Sequence, residues 1–233
     1  MVEVNKMLPE VWMISMSDCE ISQYYRKICQ PTWEEKGFKV NHFEAMTPKD
    51  LDQFKDHLKF GKKRPTLSGS RPYEIDFSPT EKAVWYSHFV AWMTCMQLNQ
   101  PIIIVEHDAF LEQKLEPEIF DEKTQFISFG HKKDPTIELK QAMICGAYYI
   151  TPDLAKKVKE YIEEFVMKEK IYYNVDGYLH MFIDTMAQES GHKYNPIHKK
   201  RSPVYQCMHK VSHQFIDEKI GTTIEHLTRQ EES

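Results

Sequence analysis

The run QPIIIVEHDAFLE, Gln100 to Glu112, constrains this chain more than any other stretch. Ile102 to Val105 are β-prone and apolar without alternation, the pattern of a strand covered on both faces, as in the interior of a parallel sheet. The strand then runs into Glu106, His107 and Asp108, where turn residues are normally found. In open α/β sheets ligands bind outside the carboxyl ends of the strands. A buried strand that ends in two carboxylates and an imidazole therefore points to a ligand site at a sheet edge.

The flanking sequence supplies the rest of an α/β pattern. EVWMISM, Glu10 to Met16, reads as a buried first strand, with Ser17 or Asp18 available to cap the helix after it. The next stretch is helical and contains Pro31, which predicts a break or kink, and Gly37 ends it. KVNHFEAM is a second strand, and strand–helix–strand order predicts a parallel sheet. Residues 49 to 77 are charged and irregular, with Pro65, Gly69 and Pro72, and predict a long flexible loop carrying one short helix. Ser78, Pro79 and Glu81 then open a helix as a capping box, and apolar positions recur at helical spacing to Leu98. TQFISFG and QAMICGAYYIT are further strands, TPDLAKKVKEYIEEFVMKE is an amphipathic helix capped by Thr151, VDGYLHMFIDTMAQ is another helix, and YNPIHKKRSPVYQ is a loop and strand. The expected architecture is one α/β domain over residues 1–233, a mainly parallel sheet flanked by helices, with a flexible segment at 55–77 and a frayed tail at 225–233.

With 233 residues, 41% of them hydrophobic, the chain can bury a sizeable core. A net charge of −5 argues against a non-specific nucleic-acid binder. Local stretches are nevertheless basic: Lys59 to Arg71, His131 to Lys133 and His198 to Lys210. The 5 cysteines form no CxxC pair, which argues against a zinc site or a disulfide framework and fits a reducing compartment. No segment reaches the roughly 20 apolar residues of a membrane span, so a cytoplasmic location is expected. Neither GxGxxG nor GxxxxGK[ST] occurs, which leaves dinucleotide and P-loop readings unsupported.

Several stretches, in order, resemble glycosyltransferase family 25, the lipooligosaccharide-type sugar transferases with a GT-A fold. Glu81, Ser87, His88 and Trp92 have the spacing of that family's motif helix. Glu106-His107-Asp108 stands where the family has an acidic triplet, usually Glu-Asp-Asp. GAYYIT, Val175-Asp176-Gly177-Tyr178-Leu179 and Pro203-Val204-Tyr205-Gln206 match later segments, and ISMSD and FEAMT match the first strand and the Phe-x-Ala turn. The resemblance covers roughly residues 10 to 212. Two positions depart from it: His107 replaces the middle aspartate, and Ser15-Met16-Ser17 stands in place of Asn-Leu-Asp.

The resemblance implies a glycosyltransferase that moves a sugar from a UDP-type nucleotide sugar to a hydroxyl acceptor, assisted by Mn²⁺ or Mg²⁺. A divalent ion stabilises a departing diphosphate as a Lewis acid, and hard cations favour carboxylate oxygen. By resemblance Asp108 and Glu106 are the metal ligands, and Asp108 and Asp176 the catalytic residues. Ser15, Glu44, Ala45, Glu81, Ser87, His88, Glu106 and Gln206 are the implied donor-binding set. Several of these residues also have a purely structural reading. Glu81 suits a capping box, Asp176 suits an N-cap and His88 suits a hydrogen-bonded core histidine, whereas Ser87 and His88 also suit an orienting role towards Asp108. Alternation along an extended chain puts His107 on the face opposite its neighbours.

The acceptor is not encoded in the donor motifs. Two anionic acceptors fit: a lipid-linked or surface glycan, and DNA carrying hydroxymethylcytosine, as modified by phage sugar transferases of similar type. The absence of a basic amphipathic helix and the position of Lys62, Lys63, Arg64, Arg71 and Tyr73 just before the motif helix favour DNA. A catalytically inactive relative that keeps only binding is the alternative raised by the altered triplet.

Overall fold

Strand β1 (Glu10–Ser15), helix α1 (Glu20–Glu34) and strand β2 (Val40–Glu44) form the expected strand–helix–strand unit, with β2 parallel to β1. The structure, a computed structural model, describes residues 8–54, 60, 63–64, 73–74, 77–122, 124–129, 146–163, 175, 179, 193–194 and 204–206. A 3-10 turn at Pro48–Asp50 leads into the short helix α2 (Leu51–Phe54). Two small antiparallel strands come next, β3 (Lys63–Arg64) and β4 (Tyr73–Glu74), a pairing the irregular sequence there does not suggest. Helix α3 (Pro79–Leu98) then feeds β5 (Ile102–Glu106), β6 (Ala109–Leu111), β7 (Thr124–Ser128), β8 (Ala147–Ile150), helix α4 (Pro152–Tyr161), β9 (Lys193–Tyr194) and β10 (Val204–Gln206).

The central sheet has the order β2-β1-β5-β8-β7-β9. β1 runs parallel to both β2 and β5, and β9 runs parallel to β7. Strand β8 pairs antiparallel with both β5 and β7, so it alone among these strands runs the other way. The fold is mixed α/β with a mostly parallel sheet, as the sequence predicts. Apart from the sheet, β6 pairs antiparallel with β10.

Each face of the sheet carries its own core. Ile102 and Ile104 point to the side of α3 and α4, where Trp85, Trp92, Tyr148, Leu154, Val158, Val175 and Leu179 are buried. Ile103 and Val105 point to the side of α1, against Met13, Cys29, Trp33 and Tyr149. All four residues from Ile102 to Val105 are fully buried, which explains the unbroken apolar run. At about 1.5–3 kcal/mol for each such side chain, this strand is a main anchor of the sheet.

Helix α1 continues through Pro31, so of the expected break or kink the break does not occur. The proline lies near the helix's end, so few turns remain for its missing N–H to disturb. The next two residues are held from outside: Leu111 N–H donates to Thr32 Oγ1 at 3.0 Å, and Trp33 Nε1 donates to the Ala109 carbonyl at 2.9 Å. Gly37 closes the turn at φ +90°, a conformation that favours glycine. The residue at the N-cap of α1 is Cys19, which makes no side-chain capping bond; Ser17 and Asp18 do not serve there. Among the described residues, no helix is long and apolar enough to cross a membrane.

Candidate active site at the carboxyl edge of the sheet

Parallel pairing brings the ends of three strands together. Ser15 lies opposite Glu44, and Ile14 lies opposite Glu106. Three of the residues singled out in the sequence thus converge on one edge. The loop after β1 is built rather than loose. Met16 N–H donates to Ser22 Oγ at 2.9 Å, and Gln23 Nε2 donates to the Met16 carbonyl, so the first turn of α1 grips both sides of that residue. Ser17 N–H donates to Glu44 Oε1 at 2.8 Å, and its hydroxyl donates to Glu44 Oε2. His42 Nε2 lies 3.4 Å from Glu44 Oε2 and 3.2 Å from the Ser15 carbonyl. Glu44 therefore ties β2 to the loop after β1.

The Phe-Glu-Ala-Met segment is fixed in the same way. Ala45 N–H donates to the Ser15 carbonyl at 3.0 Å. Met46 N–H donates to Ser87 Oγ at 2.9 Å, while that hydroxyl donates to the Ala83 carbonyl within α3 at 3.0 Å. Ser87 is thus a clamp between α3 and the turn after β2. The orienting role towards Asp108 considered from sequence is not the one its hydrogen bonds describe. The Ser15 hydroxyl is buried with no hydrogen-bond partner among the described residues.

The acidic turn is held from both faces. Glu106 N–H donates to the Gly146 carbonyl at 2.9 Å. On the α3 face, His88 Nε2 lies 3.5 Å from Glu106 Oε1, and His88 Nδ1 lies 2.9 Å from the Tyr148 hydroxyl. That hydroxyl also accepts from Trp92 Nε1 at 2.8 Å. His88 therefore addresses Glu106, not Asp108. On the α1 face, the His107 ring packs 6.1 Å from Tyr25, as alternation predicts. Burial holds its imidazole below the ordinary histidine range, opposed by the charge of Glu106 and a bond to the Ile14 backbone. Asp108 is only 4% exposed, and the bond from Trp33 fixes the very next carbonyl, that of Ala109.

The other residues singled out in the sequence are spread more widely. Backbone pairing puts Gln206 opposite Ala109, one residue beyond Asp108, so β10 reaches the acidic turn. Glu81 closes the capping box of α3: Ser78 N–H donates to Glu81 Oε2 at 2.9 Å, and Glu81 N–H donates to Ser78 Oγ at 3.2 Å. It stands two helical turns, roughly 10 Å, from His88 along the axis and is not brought to the turn by its own helix. Arg64 pairs with Tyr73 and Lys63 with Glu74 across β3 and β4. Asp176, Lys62 and Arg71 lie outside the described residues. The flanking Val175 and Leu179 are buried in the core that holds Trp92 and Tyr148.

Sequence reasoning reads Ser17 only as a cap candidate and a departure from the family's first strand, and does not single out His42, Trp33 or the role of Tyr148. His42 has a local signal, since it shares a strand face with Glu44 two residues on. Tyr148 lies within the GAYYIT segment, but which of its two tyrosines faces α3 depends on the register of β8. Trp33 acts across a long sequence separation that leaves no local trace.

Residues 9–137, more than half of the chain, match the sequence family described as glycosyltransferase family 25 (LPS biosynthesis protein). No curated protein sequence matches. Among solved structures, the chain is similar to a glycosyltransferase involved in the glycosylation of the major capsid of PBCV-1, at 11% identity over 78% of this chain and 76% of that one, with a TM-score of 0.36. It is also similar to mouse xyloside xylosyltransferase 1, at 9% identity over 81% and 84%, with a TM-score of 0.43. A third similar structure is the CTP:phosphocholine cytidylyltransferase of Streptococcus pneumoniae, at 10% identity over 91% and 99%, with a TM-score of 0.41.

Proposed function

Because the chain belongs to glycosyltransferase family 25, we propose that this glycosyltransferase takes its sugar from a UDP-type nucleotide sugar seated across the edge formed by Ser15, Glu44 and Glu106. The observation that carries this reading is the convergence of those strand ends beside the buried Asp108. An edge of this kind is where α/β sheets bind ligands. The buried Ser15 hydroxyl supports it further, because a buried polar group ordinarily has a partner, and a bound donor would supply one.

The family's chemistry also implies a divalent cation, and the residues present fit one. Asp108 and Glu106 are hard oxygen donors, and a nearly buried carboxylate such as Asp108 is the kind of group that a cation balances. Among the described residues no cluster of three His, Cys, Asp or Glu is present, so further ligands would come from donor phosphates and water. When bound, Mn²⁺ or Mg²⁺ would offset charge on the departing diphosphate. The chain's own residues do the rest. Ser17 and His42 hold Glu44, Ser87 holds the Ala45–Met46 turn, and the bond from Trp33 to Ala109 fixes the backbone behind Asp108. Asp176 is proposed as the base that takes the acceptor proton, on the strength of the Val-Asp-x-x-Leu resemblance.

For the acceptor, the family description favours a glycan hydroxyl. The basic sequence from Lys62 to Arg71 favours a second reading, hydroxymethylcytosine in DNA. The test is hydrolysis and transfer from UDP-sugars with and without Mn²⁺. Asp108→Ala is expected to abolish both, and binding without any turnover would identify an inactive relative. Glycan and hydroxymethylated DNA are offered in parallel. Transfer to DNA that falls steeply with salt supports the second reading, because phosphate contacts release counterions.

A further inference from the structure

We propose that His88 is a positioning residue for Glu106, and that a buried hydrogen-bond relay from Trp92 through Tyr148 sets which of its ring nitrogens carries the proton. This inference rests on the donor-site reading of Glu106 given above, and it adds an orienting device that the strand end itself lacks.

The relay has a direction because its two ends have only one role each. The Trp92 indole can only donate, and it gives its proton to the Tyr148 oxygen at 2.8 Å. An ionised Glu106 can only accept, and it faces His88 Nε2 at 3.5 Å. A neutral His88 that serves Glu106 must therefore carry its proton on Nε2. Its Nδ1 is then bare and accepts the Tyr148 O–H at 2.9 Å. Every proton is accounted for: indole to phenol oxygen, phenol proton to Nδ1, Nε2 proton to carboxylate. The ring centroids of His88 and Tyr148 lie 5.8 Å apart, with the ring planes 25° from parallel. His88 and Tyr148 are each 1% exposed and Trp92 is fully buried, so water does not compete for these bonds.

At 3.5 Å the last contact is long for a hydrogen bond. Glu106 itself is part-exposed at the edge, with 28% of its side-chain surface accessible, so it is the point where the buried relay meets a ligand. The relay belongs to the α3 side of the sheet, whereas His107 is sequestered on the α1 side. The histidine inside the acidic triplet and the histidine that serves it are therefore different residues.

The proposal is tested on the full chain by ¹⁵N-resolved NMR of the histidine rings and by UDP-sugar affinity. The wild type is expected to show His88 protonated on Nε2, and Tyr148→Phe to weaken that preference, which Glu106 alone then holds. A wild-type Nδ1–H tautomer would overturn the relay whatever the activity. His88→Phe is expected to weaken donor binding about tenfold, in the range of other orienting partners, and His88→Gln, which keeps a donor, to recover part of it. In the cycle with Glu106→Gln the two losses should be non-additive. If Glu106→Gln impairs binding while His88→Phe does not, or if the losses add, the positioning role fails and the donor site stands. If Glu106→Gln itself changes nothing, the donor-site reading is what fails. Should His88→Phe not fold, the tautomer measurement and His88→Gln still decide.

Discussion

Replacing Tyr148 by phenylalanine removes one oxygen and almost no volume, yet it strands two partners at once. Trp92 Nε1 loses its acceptor and His88 Nδ1 loses its donor, and both residues are essentially inaccessible to water. A buried group left without its partner costs about 1–3 kcal/mol. Two such groups sum to about 2–6 kcal/mol, and moving the imidazole proton to Nδ1 recovers nothing, since it would find no acceptor there and would leave a bare Nε2 facing Glu106. That is a large fraction of the roughly 5–15 kcal/mol that holds a typical domain together. Urea unfolding followed by tryptophan fluorescence measures it. With a slope of about 2 kcal/mol per molar, the midpoint is expected to fall by about 1–3 M at unchanged slope. The double variant Trp92→Phe, Tyr148→Phe removes the stranded indole N–H as well, so it should lose less than the two single losses combined. A Tyr148→Phe loss below about 0.5 kcal/mol, or strict additivity in the cycle, would refute the reasoning.

Ser87→Ala should free the Met46 amide from its side-chain acceptor, costing about 1 kcal/mol and speeding hydrogen exchange at Met46 about fivefold. Lys39 holds the Glu10 carboxyl below its usual value of 4.5, with further help from Asn41 and against the effect of burial. The pair therefore stabilises the fold above that value and loses its effect as pH falls through the lower folded-state pKa. Since Lys39 is exposed, Lys39→Met should cost less than about 1 kcal/mol near neutrality and nothing in strong acid, as read from urea melts across pH. Burial pushes the Cys95 thiol up to about 12, whereas Cys19 is only half-buried. Alkylation at mildly alkaline pH, followed by mass spectrometry, should label Cys19 in the native protein and spare Cys95 until it unfolds.

What the sequence discloses depends on how local the signal is. The capping box at Ser78 and Glu81 is complete within four residues, and it appears in the fold as read. The apolar run from Ile102 to Val105 announces a strand buried on both faces for the same reason. Pro31 misleads because the bonds that hold its helix come from β6, far along the chain. His88 is legible as either a core histidine or a site residue, and its contacts suit both readings: one nitrogen meets Tyr148 in the α3 core and the other faces Glu106. Ser87 reads towards the wrong partner, since helical spacing gives the direction of a side chain but not what the rest of the fold places there. The pairing of Glu44 with Ser17 depends on parallel register between β1 and β2, which no pattern within either strand encodes.

The reversed strand β8 has a consequence for how such a protein can diversify. Phe129 N–H donates to the Ala147 carbonyl at 2.9 Å, and Glu106 N–H donates to the Gly146 carbonyl, so Phe129 and Gly146 both lie at the acidic edge. Both anchors are fixed by the sheet, and lengthening a tethered segment costs only about 0.6 kcal/mol per doubling. A change in the length of sequence between Phe129 and Gly146 is therefore expected to leave the pairing of β7, β8 and β5 intact.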